Sequence, residues 1–175
     1  MLSAASKAIA GDYFMKKNKL LFITRGALIA SLYVALTFIA NALGLASGPI
    51  QVRISEALTI LPYYTAAAIP GLFIGCALAN LLTGCAFWDI VFGSLATLAG
   101  AVFTYLFRKR MWLAPVPPIV SNTLVIPFIL AYIYNIEGTV PLFMLTVGIG
   151  ELISCGLLGM LLLLVLKKYE KSLFC

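Results

Sequence analysis

Residues 57–87 read "ALTILPYYTAAAIPGLFIGCALANLLTGCAF", an apolar run without a single charge, interrupted by Pro62 and by the Pro70-Gly71 pair. Either it is one kinked helix or it folds back on itself as two short ones. The choice sets the direction of every later segment. Four flanking runs are less ambiguous: "FITRGALIASLYVALTFIANALGL" from Phe22, "DIVFGSLATLAGAVFTYLF" from Asp89, "PPIVSNTLVIPFILAYIY" from Pro117 and "VPLFMLTVGIGELISCGLLGMLLLLVL" from Val140. Each approaches or exceeds the ~20 apolar residues that span a bilayer.

Composition agrees. With 63% hydrophobic and 10% charged residues and a mean hydropathy of +1.09, the chain falls outside the range of soluble domains. It reads as an all-α membrane protein. The net charge of +6 is concentrated in a few loops, which points to topology rather than to nucleic acid.

Those loops decide the reading of 57–87. Basic residues collect before Arg25, at Arg108, Lys109 and Arg110, and at Lys167, Lys168 and Lys171, and Lys and Arg in short loops stay on the cytoplasmic side. Reaching the second cluster from the first takes an even number of crossings, so 57–87 must cross twice. The expected architecture is a bundle of six transmembrane helices with both termini cytoplasmic: a tail over 1–21, a membrane domain over 22–167 and a second tail over 168–175. Each half of 57–87 has roughly 14 residues, ~21 Å as α-helix against a ~30 Å hydrocarbon core. A re-entrant hairpin is the alternative.

Several classes are excluded. There is no histidine, hence no histidine-based proton relay or metal cluster. Cys76, Cys85, Cys155 and Cys175 form no CxxC pair, so no metal or other cofactor is expected. No phosphate-binding GxxxxGK[ST] motif is present. "GIGE", residues 148–151, superficially resembles the GxGD of intramembrane aspartyl proteases but lacks the aspartate.

The polar residues that remain need a reason. Glu151 falls near mid-depth of the last span, where an ionisable group costs at least ~2.5–3.5 kcal/mol and usually faces a cavity or the bundle interior. Asn122 brings an amide to a similar depth, and a hydrogen bond tying the two helices together is the plainer explanation. Arg53, Glu56 and Asp89 are expected together at the outer mouth, though helix capping accounts for the two acids without any ligand. A pocket with these residues around it suits a small, donor-rich or cationic solute. Tyr63 and Trp88 are the candidate stacking residues, and interfacial aromatic belts are the ordinary alternative. Ala27, Ser31 and Ala35 recur every four residues, a stripe that allows another helix, internal or from a partner, to approach closely.

With these residues in view, "QVRISEALTILPYYTAAAIPGLFIGCALANLL", "DIVFGSLATLAG" and "LAPVPPIVSNTLVIP" resemble the QueT family of queuosine-precursor transporters, over residues 25–166. The resemblance implies the substrate-binding S component of an energy-coupling factor (ECF) importer in the bacterial cytoplasmic membrane. Its ligand would be a 7-deazaguanine base, and its partners a transmembrane coupling subunit and two ATPase subunits. It also implies that the 27–31–35 stripe faces the coupling subunit, with Ser31 where the pattern has alanine. Glu56 and Glu151 are the first candidates to read the base, and the stretch 51–64 is expected to close over it. The other readings are an S component for another vitamin-like nutrient, a lipid-modifying membrane enzyme, or a purely structural membrane subunit.

Overall fold

The computed structural model describes the backbone of residues 4–45 and 51–173 and the side chains of 18–45 and 51–169. All regular structure among them is helical: α1 (Ala4–Ala42), a 3₁₀ helix (Ile54–Tyr63), α2 (Ala68–Leu82), α3 (Phe87–Leu106), a short 3₁₀ turn (Met111–Leu113), α4 (Val116–Tyr132), α5 (Val140–Glu151), a π-helical segment (Leu152–Gly159) and α6 (Met160–Leu173). The last three run on as one helix. Four segments are long and apolar enough to cross a membrane: Asn18–Ala42, Phe87–Leu106, Met111–Tyr132 and Val140–Tyr169. Leu28, Leu78, Phe103, Leu124, Leu145 and Leu161 are among many exposed large apolar side chains, the surface of an all-α membrane protein.

Side-chain contacts give each segment its direction. On α1, Gly26 lies against Gly71, and Ala30 with Tyr33 lies against Gly75, so α1 and α2 run parallel. α2 and α3 are antiparallel, since Cys76 meets Thr97 and Asn80 meets Gly93. Gly100 sits on Pro118 and Thr104 bonds the Ala114 carbonyl, which sets α4 antiparallel to α3. The 3₁₀ helix opposes α1, since Thr37 meets Ser55 and Tyr33 meets Glu56, and runs parallel to the last helix through Thr59–Cys155 and Tyr64–Leu163. Six passages therefore alternate in direction. Arg108, Lys109 and Arg110 stand at the same end as Lys167, while Asp89 and Glu137 stand at the other.

The run 57–87 does fold back, but differently from two short α-helices. Its first half begins earlier, at Ile54, and is a ten-residue 3₁₀ helix. At ~2.0 Å per residue it reaches about 20 Å, where ten α-helical residues would reach about 15 Å. The reversal falls at 64–67, between the prolines. Pro62 stays inside the 3₁₀ helix, and Pro70 is the third residue of α2, where no intrahelical N–H is needed. Ser55 to Pro62 are all buried, so most of the stretch 51–64, expected to close over a solute, is a packed helix rather than a loop. At the other boundary, α1 starts at Ala4 and passes without interruption through residue 21, where the tail was expected to end.

Close packing relies on absent side chains. A Cβ on Gly75 would lie 2.9 Å from the Tyr33 Cβ, and one on Gly150 would collide with the Gln51 carbonyl. The chain leading into the 3₁₀ helix thus lies directly on α5. One apolar cluster, with Tyr33, Ile60, Leu72 and Leu163, fills the basic half, and a second, with Ile126, Leu130, Phe143 and Val147, joins α4 to α5.

Candidate functional site

At the acidic end, the last turns of α1 and α2, the start of α3 and the residues after α4 surround a cleft of about 260 Å³. That volume is near the lower limit of ligand pockets, about 300–1,000 Å³, and restricts the cleft to a small molecule. Thr37, Arg53, Asn80, Asp89 and Tyr134 contribute polar groups to its wall.

Asp89 is the third residue of α3 and makes no capping hydrogen bond there. Its Oδ2 instead accepts from the Tyr134 hydroxyl at 2.9 Å, and that hydroxyl accepts from the Ala86 N–H at 3.0 Å. The other oxygen, Oδ1, is buried without a hydrogen-bond partner. Gly93 lets α3 pack closely beside it, since a Cβ there would lie 3.2 Å from both Asp89 Oδ1 and Asn80 Nδ2. Desolvation foremost, with the Asp89 carboxylate behind it, holds the Tyr134 phenol above its usual pKa, so it remains a donor. For Arg53, burial acts to lower the pKa, but neighbouring negative groups, Asp89 first, outweigh it and raise it. The guanidinium stays charged on the cleft wall.

Beneath the cleft is a second polar tier with almost no free volume. Glu56 is 1% exposed. The Tyr33 hydroxyl donates to its Oε1, and Oε2 is buried without a partner. Asn122 Nδ2 donates to Glu151 Oε1 at 2.9 Å, and Cys155 Sγ donates to Glu151 Oε2 at 3.1 Å. Thr59 Oγ1 contacts the same sulfur at 3.3 Å. Glu56, Glu151 and Cys155 each place a ligand atom within 4.8 Å of the others. Two carboxylates that close in an apolar interior need a shared proton, a metal ion or a cationic group between them. Gln51, Arg53, Ile126, Val147 and Glu151 line a gap of only about 10 Å³ between the tiers, so Arg53 and Gln51 form the partition.

The residues singled out in the sequence therefore separate into three groups. Arg53 and Asp89 meet in the cleft; Asn122 and Glu151 meet below it, bonded to each other. Glu56, expected at the mouth with Arg53, is in the lower tier, because the turn of the 3₁₀ helix points it at Tyr33. Trp88 and Tyr63 belong to neither tier. Trp88 is 51% exposed and stacks on Phe92 at 5.8 Å, on the face of α3 opposite the buried Asp89, Gly93, Ala96 and Thr97. Tyr63 lies at the basic end, edge-on to Tyr64 at 4.9 Å. Sequence reasoning missed Asn80, Thr37, Tyr33 and Cys155; Asn80, an amide in an otherwise apolar helix, is the one that carried a visible signal.

Ala27, Ser31 and Ala35 are all exposed. The contact with α2 uses Gly26, Ala30 and Tyr33 instead, and a groove of about 470 Å³ between α1 and α2 includes Ala27 and Ser31 in its wall.

Comparison with known proteins adds an independent observation. The family model described as QueT transporter matches residues 23–168. A protein of Lactococcus lactis subsp. cremoris described as queuosine precursor transporter QueT is 38% identical over 85 residues, covering 48% of this chain and 49% of the relative. The chain thus spans about half the length of that curated relative in the match. No solved structure matches.

Proposed function

The chain belongs to the QueT transporter family, and from that premise we propose that it is the substrate-binding S component of an ECF importer, taking up a 7-deazaguanine precursor of queuosine across the bacterial cytoplasmic membrane. The family consists of transporters rather than enzymes. The observation that carries the proposal is the free, buried Oδ1 of Asp89 in the wall of a cleft sized for a small molecule. The guanine edge presents N1–H and an exocyclic amine as adjacent donors. Asp89 Oδ1 accepts one of them and the Asn80 amide oxygen the other, while Arg53 donates to O6. Glu56 and Glu151, with Asn122 holding Glu151, serve a cationic substituent that displaces Arg53 and Gln51 from the partition.

All six passages cross the bilayer in this reading, with the cleft outside and both termini in the cytoplasm. The 3₁₀ helix and the 15-residue α2 make the two short crossings. Transport then requires a coupling subunit and two ATPase subunits, and the exposed Ala27–Ser31–Ala35 stripe is the surface offered to the coupling subunit. Its exposure supports that role over internal packing.

The test is calorimetric titration of the purified chain with 7-aminomethyl-7-deazaguanine, with vitamins as comparators. Trp88 and Trp112 face outward and are poor fluorescence reporters. Saturable one-to-one binding of the deazaguanine supports the proposal; binding of a vitamin in its place would transfer the chain to another nutrient, and no solute binding at all would leave only a structural subunit.

A further inference from the structure

On the outer face of the α3–α4 pair, two ridges stand apart. Phe103 and Phe107, stacked at 6.4 Å, form one, and Val116, Val120 and Leu124, each four residues from the next, form the other. Gly100 against Pro118 and the Thr104 bond to Ala114 hold the helices together on the inner side, so the outer side keeps a groove of about 520 Å³ between the ridges. From Val116 to Leu124 it extends about 12 Å by helix rise, most of one leaflet of a ~30 Å core.

The groove ends at the turn that carries Arg108, Lys109 and Arg110, since Phe107 and Leu113 both belong to its wall. All three cations are exposed. No acidic residue occurs in the sequence between Asp89 and Glu137, and Asp89 is at the opposite end of α3. The turn is held in place: Arg110 N–H bonds the Phe107 carbonyl at 3.1 Å, Leu113 N–H bonds the Arg110 carbonyl at 3.0 Å, and the Arg108 guanidinium lies 4.2 Å from the centre of the Tyr105 ring. An apolar channel one leaflet deep, closed at the membrane surface by fixed positive charge, is complementary to a lipid with an anionic headgroup.

We infer that the α3–α4 groove and the Arg108–Lys109–Arg110 turn together form a binding site for an anionic phospholipid, its acyl chain between the two ridges and its phosphate on the turn. The site is separate from the cleft and requires only that the chain be in a membrane.

Native mass spectrometry of the full chain, with dioleoyl phosphatidylglycerol or dioleoyl phosphatidylcholine added to the detergent, tests it. The expected result is preferential retention of phosphatidylglycerol. Lys109→Gln with Arg110→Gln should reduce it by about fivefold per residue neutralised, and Val120→Trp, on an exposed position, should remove it by filling the groove. Equal retention of the two lipids, displacement by inorganic phosphate alone with Val120→Trp having no effect, or a dimer that Val120→Trp abolishes would each overturn the inference; the last would assign the groove to a second copy of the chain.

Discussion

Asp89 is held by one oxygen and offers the other. Tyr134 engages Oδ2, Ala86 orients Tyr134, and Oδ1 is buried without a partner in the wall of the cleft. Asp89→Asn should therefore weaken 7-deazaguanine binding about 10- to 100-fold, the range for a hydrogen bond to a charged group, and Tyr134→Phe should weaken it less, because the carboxylate loses its orientation but keeps its charge. Trp88→Ala should leave the affinity unchanged in the same titration, since that ring packs on Phe92 outside the cleft; a large loss there would restore the stacking role. Below the cleft, Tyr33→Phe removes the donor to Glu56 and should lower stability by about 1–3 kcal/mol in thermal melts. The sequence marks Glu151 as a costly ionisable group within a span, Asn122 as an amide at similar depth, and Arg53 and Asp89 as charges at the mouth; all four lie in the two polar tiers. It points to the Asn122–Glu151 hydrogen bond and to Arg53 beside Asp89, but not to the tier that Glu56 joins. Glu56 joins Glu151 because of helix phase, and Tyr134 looks like any interfacial tyrosine until its hydroxyl is seen between Ala86 and Asp89.

At the scale of elements, the unusual helices are neighbours. The 3₁₀ helix and the π segment pack side by side, one stretched and one widened, and Gly159 lies where a Cβ would come 3.1 Å from Ile60. Hydropathy cannot distinguish these from α-helix, since all three present the same apolar composition. What could be read was the fold-back of 57–87, because parity of the charged loops requires it whatever the helix type. The glycines that allow it could not be ranked from sequence. Their importance comes from contacts far apart in the chain: Gly75 on Tyr33, Gly150 on Gln51. Gly75→Ala and Gly150→Ala should each destabilise the fold by about 1–3 kcal/mol through overpacking, measured by thermal unfolding in detergent, whereas Ala substitution at Gly156, where the nearest atom is 3.9 Å away, should have little effect.

Across the whole molecule, charge and direction agree. Six alternating passages bring the clustered basic residues 108–110 and Lys167 to one end and the cleft to the other, so orientation in the membrane determines whether the cleft meets solute outside or inside the cell. An import role requires the cleft to face outward and the Arg108–Lys109–Arg110 turn inward. The direct measurement is labelling of intact cells with a membrane-impermeant maleimide, using Lys109→Cys and Glu137→Cys variants of a chain with Cys76, Cys85, Cys155 and Cys175 replaced. Labelling of the Glu137→Cys variant alone is the predicted result; labelling of the Lys109→Cys variant from outside would contradict the orientation on which the proposed import depends.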